Sequence, residues 1–162
     1  MRVVILIVVI AVLFFGLGLQ LNVQGNSASG ETNMNYGISI STDKTIYPTG
    51  ETILMTLKIF NYTQEEISFQ FTTAQRYDFI IEDEEEEEIW RWSKDKMFAM
   101  VLGEEILGLT NPEVNYSAEC KSKLSSGYYK VTGIFVAQNR PMSGSIIIEV
   151  RKTWGQIFIL DK

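Results

Sequence analysis

The chain has no histidine and a single cysteine, Cys120, in 162 residues. Without histidine it lacks the commonest general base, the commonest transition-metal ligand and both the Ser–His and the Cys–His nucleophile pairs. One cysteine excludes an intrachain disulfide and, with no imidazole available, any Cys/His zinc site within the chain. Cys120 therefore reads as a buried or incidental thiol. Basic patterning is missing too: no stripe of Lys and Arg, and no interleaving of aromatic and basic residues, gives the electrostatic footprint of a nucleic-acid binder. Helical periodicity is absent beyond the N-terminal region.

What is present is enough apolar material for one core. Hydrophobic residues make up 46% and aromatics 12% of the chain, and the length fits a single domain. Val3 to Leu19 form an unbroken run of 17 apolar or glycine residues behind Arg2, at the lower edge of the roughly 17 to 25 that a membrane helix needs. The run fits either a cleaved signal peptide or a single transmembrane anchor within residues 1–25, with small-residue cleavage options after Gly25 and Ser29. Arg2 on the cytoplasmic side would place the remainder outside the cell, secreted or held at the surface. Residues 26–35, rich in Asn, Ser and Gly, are expected to be a flexible linker.

From Tyr36 onward, period-two alternation dominates. Ile38 and Ile40 share one face of a first strand. Ile53, Met55, Leu57 and Ile59 share a face of the next, after a turn carrying Pro48 and Gly50. Ile67, Phe69 and Phe71 follow, then Tyr77, Phe79 and Ile81, then Trp90 and Trp92. Met97–Leu102 and Val114–Cys120 suggest further extended segments. Tyr129, Val131 and Phe135, and finally Ile146, Ile148 and Val150, complete the pattern. The expectation is an all-β antiparallel sandwich of seven to nine short strands over residues 36–151, preceded by one hydrophobic helix, with 152–162 as a tail that could add an edge strand.

Seven consecutive acids, Glu82 to Glu88, join two of these strands, so that outside the run 13 of the 20 acidic residues face 14 Lys and Arg. Hard cations take several carboxylate oxygens, which makes Asp83, Glu85 and Glu87 a calcium candidate. Successive side chains on an extended segment diverge, however, and a solvated hairpin tip is the simpler reading. The aromatic set Tyr77, Phe79, Trp90, Trp92 and Phe98 serves equally as sheet packing or as a binding platform. Arg76 and Arg91 are expected to pair with Asp78 or Asp95.

Several of these residues form a recognisable order. Asp43, Lys44, Tyr47, Gly50 and Glu51 are followed by Leu57, Ile59, Asn61 and Thr63, and by Ile67, Phe69 and Phe71. Then come Gln75-Arg-Tyr-Asp-Phe79, Ile89-Trp-Arg-Trp-Ser93 with Phe98, and Leu124, Gly127, Tyr129 and Val131. The order resembles the BsuPI domain, a family similar to immunoglobulin-like sandwiches and named for an intracellular proteinase inhibitor. The resemblance implies a protein partner and, through the family's name, a protease as that partner. It also implies a short polar or Gly-containing tip where this chain has its Glu run.

An inhibitory loop should be extended, exposed and held at both ends. The candidates are Lys94–Glu105, whose Phe98, Met100 and Leu102 could fill an apolar pocket, and Asn139–Gly144 with Arg140. Two Asn-X-Ser/Thr sequons, at Asn61 and Asn115, are glycan acceptors in a host that glycosylates; a plain turn at Asn61 and Thr63 is the other reading. No second carboxylate converges with the acidic run and no pocket-forming motif appears, so neither catalytic residues nor a cofactor are expected. A structural or adhesive surface module with no inhibitory activity remains the alternative to a protein-binding inhibitor.

Overall fold

Alternating apolar residues account for most of the observed elements. The computed structural model describes residues 27–32 and 35–152, and within them the chain is all β, with no helix and hence none long and apolar enough to cross a membrane. The strands are β1 (Ser27–Thr32), β2 (Tyr36–Thr42), β3 (Ile46–Pro48), β4 (Ile53–Asn61), β5 (Ile67–Phe71), β6 (Tyr77–Glu82), β7 (Glu88–Arg91), β8 (Gly103–Leu107), β9 (Glu113–Cys120), β10 (Gly127–Phe135) and β11 (Met142–Arg151).

One sheet runs β1-β2-β4-β9, all antiparallel, and a second runs β3-β11-β10-β6-β7, antiparallel except for the parallel β3–β11 pair. Register follows the apolar faces: Ile40 lies opposite Leu57, Leu57 opposite Tyr116, Val131 opposite both Ile81 and Ile146. A one-residue slip would turn each of these faces to solvent. Their inward residues, among them Ile38, Ile40, Met55, Leu57, Phe79, Ile81, Val131, Phe135 and Ile148, form one buried cluster between the two sheets. Burying each such side chain contributes roughly 1.5–3 kcal/mol. Gly133 sets how closely the sheets approach, because a β-carbon there would lie 2.6 Å from Leu57 Cδ1 and 3.1 Å from Ile40 Cδ1.

A third, two-stranded sheet pairs β5 with β8. It is fastened to the segment after β10, where Gln138 N–H donates to Gln70 O at 2.7 Å and Asn139 Oδ1 accepts from Gln70 N–H at 2.9 Å.

The structure departs from the sequence-based expectation at three places. Residues 27–32, expected as flexible linker, form β1 against β2, because an edge strand needs only backbone donors and acceptors, which a polar composition supplies as well as an apolar one. The turn segment before β4 contains β3. Met97–Leu102 is irregular rather than a strand, and the strand begins only at Gly103. The strands among the described residues thus exceed the seven to nine expected. The expected N-terminal helix and residues 153–162 of the tail lie outside the described residues.

Candidate functional site

The loop between β7 and β8 carries the most exposed large apolar side chains of the described residues: Met97 is 100% exposed, Met100 86% and Leu102 83%. Burying such groups is normally favourable, so a cluster of them on one short loop is what singles this surface out among the described residues.

Both ends of this loop are fixed by one short segment, Arg76-Tyr77-Asp78. At the leading end Asp78, only 4% exposed, accepts four hydrogen bonds: from Ser93 N–H at 3.1 Å, Ser93 Oγ–H at 2.6 Å, Arg91 Nη1–H at 2.9 Å and Phe79 N–H at 2.9 Å. A nearly buried carboxylate is tolerated only with this degree of satisfaction. At the trailing end the Arg76 guanidinium lies over the Phe71 ring, 4.3 Å from its centroid, donates to Thr73 O at 2.8 Å and sits 3.8 Å from Glu105 Oε2. Gly103 makes room for it, since a β-carbon there would overlap the guanidinium. Arg91 pairs with Asp78 as expected, whereas Arg76 reaches Glu105 instead of Asp78 or Asp95.

Between the brackets the loop is pinned once more. Ser93 O accepts Lys96 N–H at 3.0 Å, closing a turn, and Ala99 O accepts both Ala74 N–H at 2.9 Å and Val101 N–H at 3.0 Å. Phe98 turns inward onto Trp92, with ring centroids 5.8 Å apart. From Trp92 a stack continues through Tyr77 at 4.3 Å and Tyr116 at 4.8 Å to Phe135 at 6.1 Å. The loop is therefore tied to the core by an aromatic column that crosses from the second sheet to β9 of the first. Burial raises the phenol of Tyr77 above its ordinary range, and burial together with the Glu105 carboxylate does the same for Tyr116, whose hydroxyl donates to Glu105 Oε2 at 3.1 Å.

Of the residues named from sequence, Met100 and Leu102 are presented on this loop, while Phe98 is part of its footing. Met97 is not among the residues named from sequence because it has the opposite parity to the other three; the charged Lys94-Asp95-Lys96 directly before it is the sequence signal for an exposed loop position. Leu102 borders a shallow depression of about 410 Å³ that it shares with Gln70, Phe71, Gly103, Glu104 and Gln138. Arg140, from the second candidate loop, has a local use: its Nη1–H donates to Ser68 O at 2.6 Å, and its guanidinium lies 5.8 Å from the Tyr36 ring centroid.

The acidic tip is organised as a turn. Asp83 Oδ1 accepts the amides of Glu85 and Glu87 at 3.1 and 3.0 Å, and Asp83 O accepts Glu86 N–H at 3.1 Å. Among the described residues no three His, Cys, Asp or Glu side chains gather where they could hold a metal ion; Asp83 caps its own backbone rather than joining Glu85 and Glu87. The hydrogen bond that Arg91 donates lowers the Glu88 carboxyl from its ordinary value.

Asn61 is only 7% exposed. Its amide nitrogen donates to Glu65 O at 2.7 Å and Leu107 O at 2.9 Å, and its Oδ1 accepts from Thr63 N–H and Oγ1–H. Its amide group thus closes the turn through Glu65 and ties it to Leu107 of β8. Asn115 is exposed on β9 and keeps its amide near the surface. Cys120 is buried, and burial pushes its thiol up, away from a reactive thiolate.

No curated protein matches the chain. Among solved structures, a β-glucosidase from Listeria innocua in complex with isofagomine aligns at 11% identity and TM-score 0.41 over 75% of this chain, which spans only 16% of that enzyme. The CARDB domain of a Pyrococcus furiosus protein, in complex with di-metal ions, aligns at 7% identity and TM-score 0.40 over 81% of this chain and 97% of that one. At these scores neither neighbour informs function. The family comparison is of a different kind, since it covers most of the described domain, including both brackets and the loop between them. Residues 40–140 match the BsuPI family, whose description is intracellular proteinase inhibitor, and the chain belongs to that family.

Proposed function

We propose that the chain is a protein-binding module of proteinase-inhibitor type, built on an immunoglobulin-like sandwich, that engages its partner through the loop 94–102. The observation that carries this reading is the combination of exposure and fixation. Met97, Met100 and Leu102 face solvent while Asp78, Arg76, Ala74 and Trp92 hold the backbone beneath them. Association costs less when the contacting segment is ordered beforehand, and an apolar segment that a protease cannot flex into its cleft is cut slowly. Membership of the BsuPI family supports a protease as the partner. The apolar run Val3–Leu19 supports export, with the domain acting outside the cell or at its surface, secreted or anchored.

The test is a titration of the purified chain against serine endoproteases that differ in pocket chemistry. Slowed hydrolysis of a peptide substrate at micromolar chain, with the loop intact by mass spectrometry, is expected for at least one. If every enzyme runs at full rate and the loop is simply cleaved, the inhibitor reading falls and an adhesive or structural role takes its place.

A further inference from the structure

Resting on the reading of the loop as the contact surface, we infer that Met100 is its specificity-determining residue. It enters an apolar primary pocket of the partner protease, with Met97 as a flanking contact three positions upstream. The candidates for this role on the loop include Lys96, Met97, Met100 and Leu102, and the geometry separates these four.

The hydrogen bond from Val101 N–H to Ala99 O, at 3.0 Å, closes a three-residue turn with Met100 at its centre. Glu86 has the single positive φ among described non-glycine residues, so the turn at Met100 is the unstrained, inverse form. Ala99 O is simultaneously fixed by Ala74 N–H at 2.9 Å. Met100 is thus held at the apex by its neighbours' backbone while its own side chain projects outward. Among the described residues Met97, Phe98, Met100 and Leu102 have no backbone hydrogen bond to a partner, which leaves their amides and carbonyls available to pair with an extended segment of another protein.

The competitors are occupied or less firmly placed. Lys96 Nζ lies 4.6 Å from the Trp92 ring centroid, a cation–π contact that turns it back along the protein. Leu102 forms one wall of the depression beside Gly103. Met97 is fully exposed but follows the Ser93–Lys96 turn without a pin of its own. An unbranched thioether also adapts to an irregular apolar pocket better than a branched side chain does. The partner chemistry that fits is an endoprotease with a deep apolar primary pocket, as opposed to one that places a carboxylate there for Lys or Arg.

The experiment titrates the full chain and its variants against one protease of each kind, chymotrypsin and trypsin. Met100→Gly is expected to weaken inhibition of the apolar-pocket enzyme by at least about 30-fold, the size of an interface anchor. Met100→Leu should stay within about threefold of the parent, and Met97→Gly and Leu102→Gly should each lose less than about tenfold. Met100→Arg should exchange the preference, losing the apolar-pocket enzyme and gaining the acidic-pocket one. Since Met100 is exposed, unchanged thermal unfolding verifies that each variant is folded. If the parent inhibits but Met100→Gly matches it, the assignment of Met100 is wrong while the loop reading stands. If the parent slows neither enzyme nor any other in the wider panel, the loop reading fails and this inference fails with it.

Discussion

The carboxylate of Asp78 holds Ser93 twice, through its amide at 3.1 Å and its hydroxyl at 2.6 Å. The same carboxylate also takes Arg91, so a single nearly buried group both registers the β6–β7 hairpin and starts the loop. Replacing it by alanine leaves the Ser93 hydroxyl and one Arg91 donor without their acceptor. Asp78→Ala is expected to lower stability by about 2–3 kcal/mol, read as a lower urea midpoint. Asp78→Asn keeps the acceptor oxygen toward Ser93 and should cost less. Equal losses for the two variants would mean that the charge, and not the loop anchor, dominates.

Glu86 sits at φ 63° at the acidic tip, a left-handed position that glycine adopts without the clash a β-carbon brings. Glu86→Gly is expected to raise stability by about 0.5–1 kcal/mol, measured by thermal or denaturant unfolding, and to shorten no other contact of the hairpin. A destabilised variant would show that the Glu86 side chain has a role that its backbone does not reveal.

Gly133 faces Leu57 and Ile40 across the sandwich at distances that exclude a methyl group. Gly133→Ala should destabilise by about 1–3 kcal/mol through overpacking, with the loss appearing in the urea midpoint and leaving the proposed inhibition unchanged where the protein remains folded.

Four methionines fall within the described residues, and they divide cleanly: Met55 and Met142 are buried, Met97 and Met100 are exposed. Hydrogen peroxide transfers one oxygen to a thioether sulfur and leaves water, converting an apolar side chain to a polar sulfoxide. Mild peroxide is therefore expected to oxidise Met97 and Met100 first, by peptide mass spectrometry, and to weaken the proposed inhibition before it affects folding. Oxidation of Met55 at a comparable rate would contradict the packing described here.

The phenols of Tyr47, Tyr77 and Tyr116 are all raised, in each case chiefly by burial, with Asp43 and Glu105 adding to the effect at Tyr47 and Tyr116. In the unfolded chain a tyrosine ionises near pH 10, so the unfolded state gives up these protons first. Their contribution to stability is full below about pH 10 and is lost as pH rises above it. The melting temperature should be flat through neutral pH and fall beyond about pH 10, with tyrosinate absorbance rising together with unfolding. Tyr116→Phe should flatten part of that fall.

The strands that sequence revealed are those buried on one face: β2, β4, β5, β6, β10 and β11 announce themselves by alternation, because a half-buried strand must alternate. Strands that bury little were hidden. β1 has a linker's composition, β3 ends on Pro48, and β8 reads Gly-Glu-Glu-Ile-Leu, a sequence whose two adjacent carboxylates break the apolar pattern. At the loop, apolar spacing was enough to name Met100 and Leu102. It could not show that Phe98 packs on Trp92, nor that Arg76 passes beneath Gly103 to Glu105, since both depend on how the β5–β8 pair sits beside β6. Asn61 illustrates the converse: the tripeptide allowed a modification or a turn, and its burial against Leu107 O shows a turn lock.

Because both brackets and the aromatic footing lie outside positions 94–102, apart from the inward-turned Phe98, the loop behaves as a cassette whose outward residues carry no responsibility for the fold. On the proposed function, substitutions at Met97, Met100 and Leu102 alter what is bound, while Arg76, Asp78, Trp92 and Gly103 answer for the fold. On that reading a change of a few exposed side chains would change the target and leave the core, and therefore the stability, where it was.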